Sequence, residues 1–257
     1  MLSSDGIDMT QSGNVSLQGW VLASNNVTMS VLGKVSNQAV ISADDVLVSA
    51  NALENAGYIM ARNGVSVTAN KVINEQLVSA NQWVDMAAQT VTNNGMMMSL
   101  NTMTISANVL DQNNQFLVGD ALTLNVGEFN NSGELKTGGD VSITGDSLTN
   151  NGGLHVGGSA MIKGKSGPMR IQNSGGVTVN AALRISHASI TNNGQITVGE
   201  TLDWVVDDIT NRGVVLGHSN SVVSANSMDN SGQWLSVGDA KLTVNDWVNS
   251  EIGRAHV

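Results

Sequence analysis

The sequence predicts an all-β fold, a parallel β-helix (solenoid) of about thirteen 19-residue rungs. Three observations carry this expectation. An apolar-polar-apolar triplet recurs every 19 residues, an apolar-x-Asn triplet recurs in the same register, and both share one 23-residue step.

The first ladder steps by 19 through Val27-Thr28-Met29, Val46-Leu47-Val48, Val65-Ser66-Val67, Val84-Asp85-Met86, Met103-Thr104-Ile105, Leu122-Thr123-Leu124, Val141-Ser142-Ile143 and Ala160-Met161-Ile162. One step of 23 leads to Leu183-Arg184-Ile185. Steps of 19 resume at Leu202-Asp203-Trp204, Ser221-Val222-Val223 and Ala240-Lys241-Leu242, and Ile7-Asp8-Met9 sits 20 residues before the first triplet. The second ladder ends each triplet at Asn55, Asn74, Asn93, Asn131, Asn150, Asn173, Asn192, Asn211, Asn230 and Asn249, with Gln112 in the remaining place. Two positions later stands Gly57, Gly95, Gly133, Gly152, Gly175, Gly194, Gly213 or Gly232; Gln76, Asn114 and Glu251 depart from the rule.

Within a rung the apolar period is two, as in strands, and not 3.6. Val65, Val67 and Ala69 alternate with Ser66 and Thr68, and the runs Ile59-Met60-Ala61 and Val72-Ile73-Asn74 read as two further strands. Each rung is therefore three short strands separated by corners. The Asn-x-Gly corner predicts a residue with φ > 0. No window combines helix caps with a sustained helical stripe, so no substantial helix is expected.

A single rung cannot bury its apolar face, whereas stacked rungs pair every backbone N–H and C=O with neighbours. At a spacing of about 4.8 Å, twelve steps predict a rod roughly 60 Å long. The Asn/Gln column admits two structural readings. An inward amide must be satisfied, and identical amides one rung apart can pass hydrogen bonds along the stack. Alternatively, these residues are exposed turn formers.

Composition narrows the function classes. Of 257 residues, 41% are hydrophobic and 12% charged, and the net charge is -10. Nucleic acid is a poor partner for such a chain, because phosphate neutralisation requires a basic face. No apolar run reaches the length of a membrane helix. Residues 1–7 lack the basic start and apolar stretch of a signal peptide. With no cysteine, neither a disulfide framework nor a thiolate metal site can form.

The runs FNNSGELKTGGDVSITG (129–145), LTNNGGLHVGG (148–158), ITNNGQITVG (190–199) and MDNSGQWLSVGD (228–239) resemble the filamentous haemagglutinin repeat family. That family comprises two-partner secretion exoproteins, including adhesins and the stalks of contact-dependent growth inhibition proteins. The resemblance covers most of the chain, most clearly residues 52–250. It implies a right-handed β-helix, export to the bacterial surface through an outer-membrane transporter partner, and a role as the shaft of an adhesin or toxin-delivery filament. A host or neighbouring-cell receptor or glycan would be engaged through the parent protein. The chain carries no Asn-Pro motif of the family's secretion domain, no toxin-like module and no Arg-Gly-Asp tripeptide. Residues 1–250 are expected to form a single repeat domain, a fragment of a longer shaft. Residues 251–257 break the repeat, and Ile252–Val257 resembles sequencing-adapter read-through, an artefactual tail.

The rival class is a β-helical carbohydrate-active enzyme, a polysaccharide lyase or hydrolase. Such sites need clustered carboxylates. Asp44, Asp45, Asp120, Asp140, Glu200 and Asp239 recur near one corner, but no Lys or Arg column accompanies them, and solvated turn residues explain them better. No catalytic residue and no cofactor is expected. His155, His187 and His218 fall in different columns, so no histidine metal site is expected. Gly164-Lys165-Ser166 lacks the earlier glycine and the helix of a phosphate loop. The partial outward row Thr28, Ser66, Thr104, Thr123 and Ser142 is too interrupted for an ice-binding face and reads as ordinary strand composition. The four-residue insertion around 163–172 carries Lys163, Lys165, Arg170 and the only proline, Pro168. It marks a corner bulge that reads first as tolerated loop variation and, second, as a candidate loop for binding an anionic glycan.

Overall fold

The computed structural model describes residues 2–250, with side chains from Ser4 onward. The anticipated tail, 251–257, lies outside the described residues. All described structure is strand, turn and bend, with no helix, and every strand pair is parallel. The strands stack as a β-solenoid of about thirteen turns with 19-residue spacing. Each turn contributes one strand to face A (the first ladder), one to face B (ending in the Asn ladder) and one to face C, which follows the Asn-x-Gly corner.

Contacts divide the chain into two compact units, Met1–Asn125 and Val126–Val257. In the first, face A stacks Val27, Val46, Val65, Val84 and Met103 in register. Face B stacks Val35, Leu53, Val72, Val91 and Leu110, and face C stacks Val21, Ile41, Ile59, Val78, Met97 and Phe116. All of these are buried. Period-two alternation is what turns one side of every strand inward. Each fully buried aliphatic side chain contributes about 1.5–3 kcal/mol relative to exposure.

The early rungs are less regular than the 19-residue rule. Val31↔Ala50 is followed by Lys34↔Ala52, one extra residue in the earlier rung, and Ala43↔Ala61 by Asp45↔Gly64, one fewer. Faces B and C therefore step by 18 from Asn37 to Asn55 and from Ile41 to Ile59, while face A keeps 19 from Val27 to Val46.

The second unit repeats the plan. Face A stacks Val141, Ala160, Leu183, Leu202, Ser221 and Ala240. Face B stacks Phe129, Leu148, Ile171, Ile190, Ile209 and Met228. Trp204 replaces an aliphatic residue on face A and is fully buried, edge-to-face with Trp234 at 5.4 Å. Neither indole N–H has a hydrogen-bond partner.

Candidate functional site

The amide column is internal. In the first unit Asn37, Asn55, Asn74, Asn93 and Gln112 are each 0% exposed. Each Nδ2 donates to the side-chain oxygen of the next rung: Asn37 to Asn55 at 2.7 Å, Asn55 to Asn74 at 2.7 Å, Asn74 to Asn93 at 2.8 Å and Asn93 to Gln112 at 2.7 Å. The Nδ2 of Asn55, Asn74 and Asn93 also meets a backbone carbonyl one rung on, as Asn55 meets Leu77 O at 3.0 Å, whereas that of Asn37 meets Ala39 O in its own rung at 3.3 Å. Asn37, missed by a strict 19-residue count, begins the column, and its Oδ1 accepts the Ala39 N–H at 3.0 Å. The Val35-Ser36-Asn37 triplet itself was the available signal. In the second unit the ladder runs from Asn131 through Asn150, Asn173, Asn192, Asn211 and Asn230 to Asn249 at 2.7–2.9 Å, and the 23-residue step leaves it unbroken. Asn131 Oδ1 is buried without a partner.

The Asn-x-Gly corner works differently from the sequence expectation. Positive φ occurs only at Gly19 (80°) and His187 (53°) among the described residues, and at neither place does it belong to the Asn-x-Gly glycines. At the rungs that carry it, glycine permits a close approach instead, while Ala39, Gln76 and Asn114 stand at the equivalent corner position of other rungs. A Cβ on Gly213 would overlap the carbonyl oxygen of Gly194 one rung before. This nearness lets Asn192 O accept both Arg212 N–H at 2.8 Å and Gly213 N–H at 3.0 Å.

Several acidic corner residues engage the backbone. Asp45 Oδ1 accepts Gly64 N–H at 3.0 Å, and Asp140 Oδ1 accepts Ser159 N–H at 2.7 Å. Asn220 plays the same part for Asp239 N–H at 3.2 Å. Asp44 pairs with Arg62 at 2.6 Å. His155 Nε2 lies 3.4 Å from a Glu134 carboxylate oxygen on face C, whereas His187 and His218 sit at different corners. No group of three or more His, Cys, Asp or Glu among the described residues could hold a metal ion.

The 23-residue step is a loop at the A–B corner. Gly145↔Gly164 and Ser147↔Arg170 are paired, so Asp146 alone spans what 165–169 span one rung on. Asp146 Oδ1 accepts both the Ser166 hydroxyl at 2.6 Å and the Ser166 N–H at 3.2 Å. These bonds lower its pKa below the ordinary carboxylate value, opposed by desolvation and aided to a lesser extent by the Lys165 ammonium. Met169 is fully buried, with its ε-methyl in the space left by the missing side chain of Gly145. Lys163, Lys165 and Arg170 are all exposed. Of the three, only Lys165 lies on the looped-out segment; Lys163 and Arg170 stand on the strands that flank it, so the basic crest spans the loop and the two strand ends at its fixed root.

A second surface was not singled out from the sequence. On face C of the first unit, one outward row runs Trp20, Val40, Tyr58, Leu77, Met96 and Gln115, and the other Leu22, Ser42, Met60, Ser79, Met98 and Leu117. None of the twelve is charged, and Trp20 and Tyr58 are 54% and 45% exposed. Face C of the second unit, by contrast, carries Glu134, Lys136 and His155.

No family model, curated protein or solved structure matches the chain. The chain presents three features: an internal amide ladder that holds the stack, a basic loop on a rigid root, and an uncharged aromatic-bearing face.

Proposed function

We propose that the chain is a structural shaft segment of a secreted, surface-displayed bacterial exoprotein of the filamentous-haemagglutinin kind, either an adhesin or a contact-dependent inhibition protein. The observation that carries this reading is the continuity of the amide and apolar columns within each unit, kept through the two register shifts of the early rungs, which commits nearly every inward side chain to stacking. Such a design spaces and presents; it supports a scaffold better than a reaction centre. The repeat motifs around residues 129–239 support the family resemblance. The capping roles of Asp45 and Asp140 speak for scaffold over carbohydrate-active enzyme, since each carboxylate has a structural task.

Export would proceed through an outer-membrane transporter partner, and a receptor or glycan on a host or neighbouring cell would be the target of the parent protein. The test is to place residues 2–250 between a two-partner secretion domain and an epitope in a bacterium bearing the matching transporter. The expected result is an epitope exposed to protease and antibody on intact cells. Retention of a folded chain in the periplasm would overturn the reading.

A further inference from the structure

We propose that the uncharged face C of the first unit binds a neutral, extended, β-linked glycan, with Trp20 and Tyr58 as stacking platforms. Trp20 pairs with Val40 and Val40 with Tyr58, so the two exposed rings occupy one row two rungs apart, about 10 Å at a spacing near 4.8 Å per rung. A pyranose carries an apolar C–H patch on its face, which packs against an aromatic ring. In an extended β-1,4-linked chain each sugar advances by about one rung, and alternate sugars turn the same face to one side. Two alternate sugars then meet the rings of Trp20 and Tyr58 and the next alternate one meets Met96, while the smaller Val40 leaves room for the sugar between the rings.

The neighbouring row alternates with the same two-rung spacing over its first five rungs, Leu22, Met60 and Met98 taking turns with Ser42 and Ser79, before Leu117 ends the alternation. The two hydroxyls stand on the rungs of Val40 and Leu77, where no aromatic ring stacks. They are placed to hydrogen-bond the hydroxyls of the intervening sugars. Gln38 and Gln76 are exposed on the adjoining corner and add amide donors and acceptors.

The absence of charge selects a neutral glycan over an acidic one. The strip's width selects a narrow ligand over a second copy of the chain. Four strand residues by six rungs is a footprint on the order of 300 Å². A stable protein interface takes about 800 Å² per partner. The inference rests on the adhesin reading for the source of the glycan, but binding is measured on the purified full chain and does not depend on export.

Cellohexaose and chitohexaose are titrated into the full-length chain and followed by calorimetry and tryptophan fluorescence, with a heparin-derived hexasaccharide as charged control. At least one neutral hexaose is expected to bind, more tightly than its disaccharide and with little dependence on salt. Trp20→Ala and Tyr58→Ala are each expected to weaken it by about tenfold or more, and Tyr58→Phe to retain it. Thr178→Ala, on face C of the second unit, is expected to leave binding unchanged, and unaltered circular dichroism checks that each variant is folded. No binding of either neutral hexaose, or binding indifferent to both aromatic substitutions, overturns the proposal. So does self-association in sedimentation velocity that Trp20→Ala abolishes, since the face would then belong to a second copy. Hexaose binding without surface display would sink the export reading alone, and display without hexaose binding would sink this site alone.

Discussion

Asn192 Nδ2 donates to Asn211 Oδ1 at 2.8 Å, and the two residues are direct strand partners. Asn192 in turn accepts from Asn173 at 2.8 Å and reaches Val214 O at 3.2 Å. A buried primary amide is thereby satisfied on both its donor and acceptor sides without water.

Replacing Asn192 with Leu removes both links at once. The Asn211 acceptor is left buried and unpaired, and Asn173 Nδ2 keeps only its longer contacts to Gly175 O and Gln195 O at 3.3 Å, at a cost of about 1–3 kcal/mol. Urea unfolding should show this as a lower midpoint. A change within a few tenths of a kcal/mol would mean that the ladder carries no stability. Asn192→Asp adds a pH signature. Burial raises the folded-state pKa of that carboxyl, so its contribution is retained below the unfolded value of about 3.9 and lost as pH rises through the folded value.

Gly213→Ala should destabilise by about 1–3 kcal/mol, because the new methyl meets backbone rather than a movable side chain. Gly176→Ala, with open space around its Cβ position, should be neutral or slightly stabilising. Thermal melts of the pair separate close packing from backbone freedom. Equal effects at both positions would remove the close-approach account.

Acidification should loosen the loop rooted on Asp146. Its folded pKa is lowered by the Ser166 bonds, so their contribution is present above the unfolded value and is lost as pH falls through the folded one. Hydrogen exchange at the Ser166 amide should accelerate selectively below the ordinary carboxylate range. Asp146→Asn should make that exchange insensitive to acid, and an unchanged profile in the variant would contradict the assignment.

Excising Lys165–Pro168 should leave the fold intact, with a stability change of about 1 kcal/mol or less, since every other rung of the second unit closes this corner without them. If the basic crest binds an anionic glycan, neutralising Lys163, Lys165 and Arg170 together abolishes salt-sensitive retention on a heparin column. Unchanged retention would dismiss the loop as a binding element.

The three-strand rung and its stacking were legible because Val65, Val67, Ile59 and Val72 each occupy one of two alternating sides, and nothing else buries them. Asn37 was not, because compensating irregularities at Val31/Lys34 and Ala43/Asp45 shift it by one residue from the repeat. The glycine column was visible, yet its cause was a stacking distance, which no single rung encodes. The face C strip was equally hidden: Trp20 and Tyr58 are 38 residues apart in the chain and become neighbours in a row only once the register through Val40 is known.

The amide ladder also has a sense. Within each unit every ladder Nδ2 points to the rung that follows in the chain, so each rung offers an acceptor to the one before it and a donor to the one after. A rung is thus interchangeable with its neighbours at both edges. In-frame duplication or loss of nineteen codons conserves every such joint, whereas a change of another size has to be absorbed at a corner, by a one-residue register shift as at Val31/Lys34 or by a loop as around Pro168. The number of rungs in a unit is thereby open to change by recombination between repeats with the ladder joints kept.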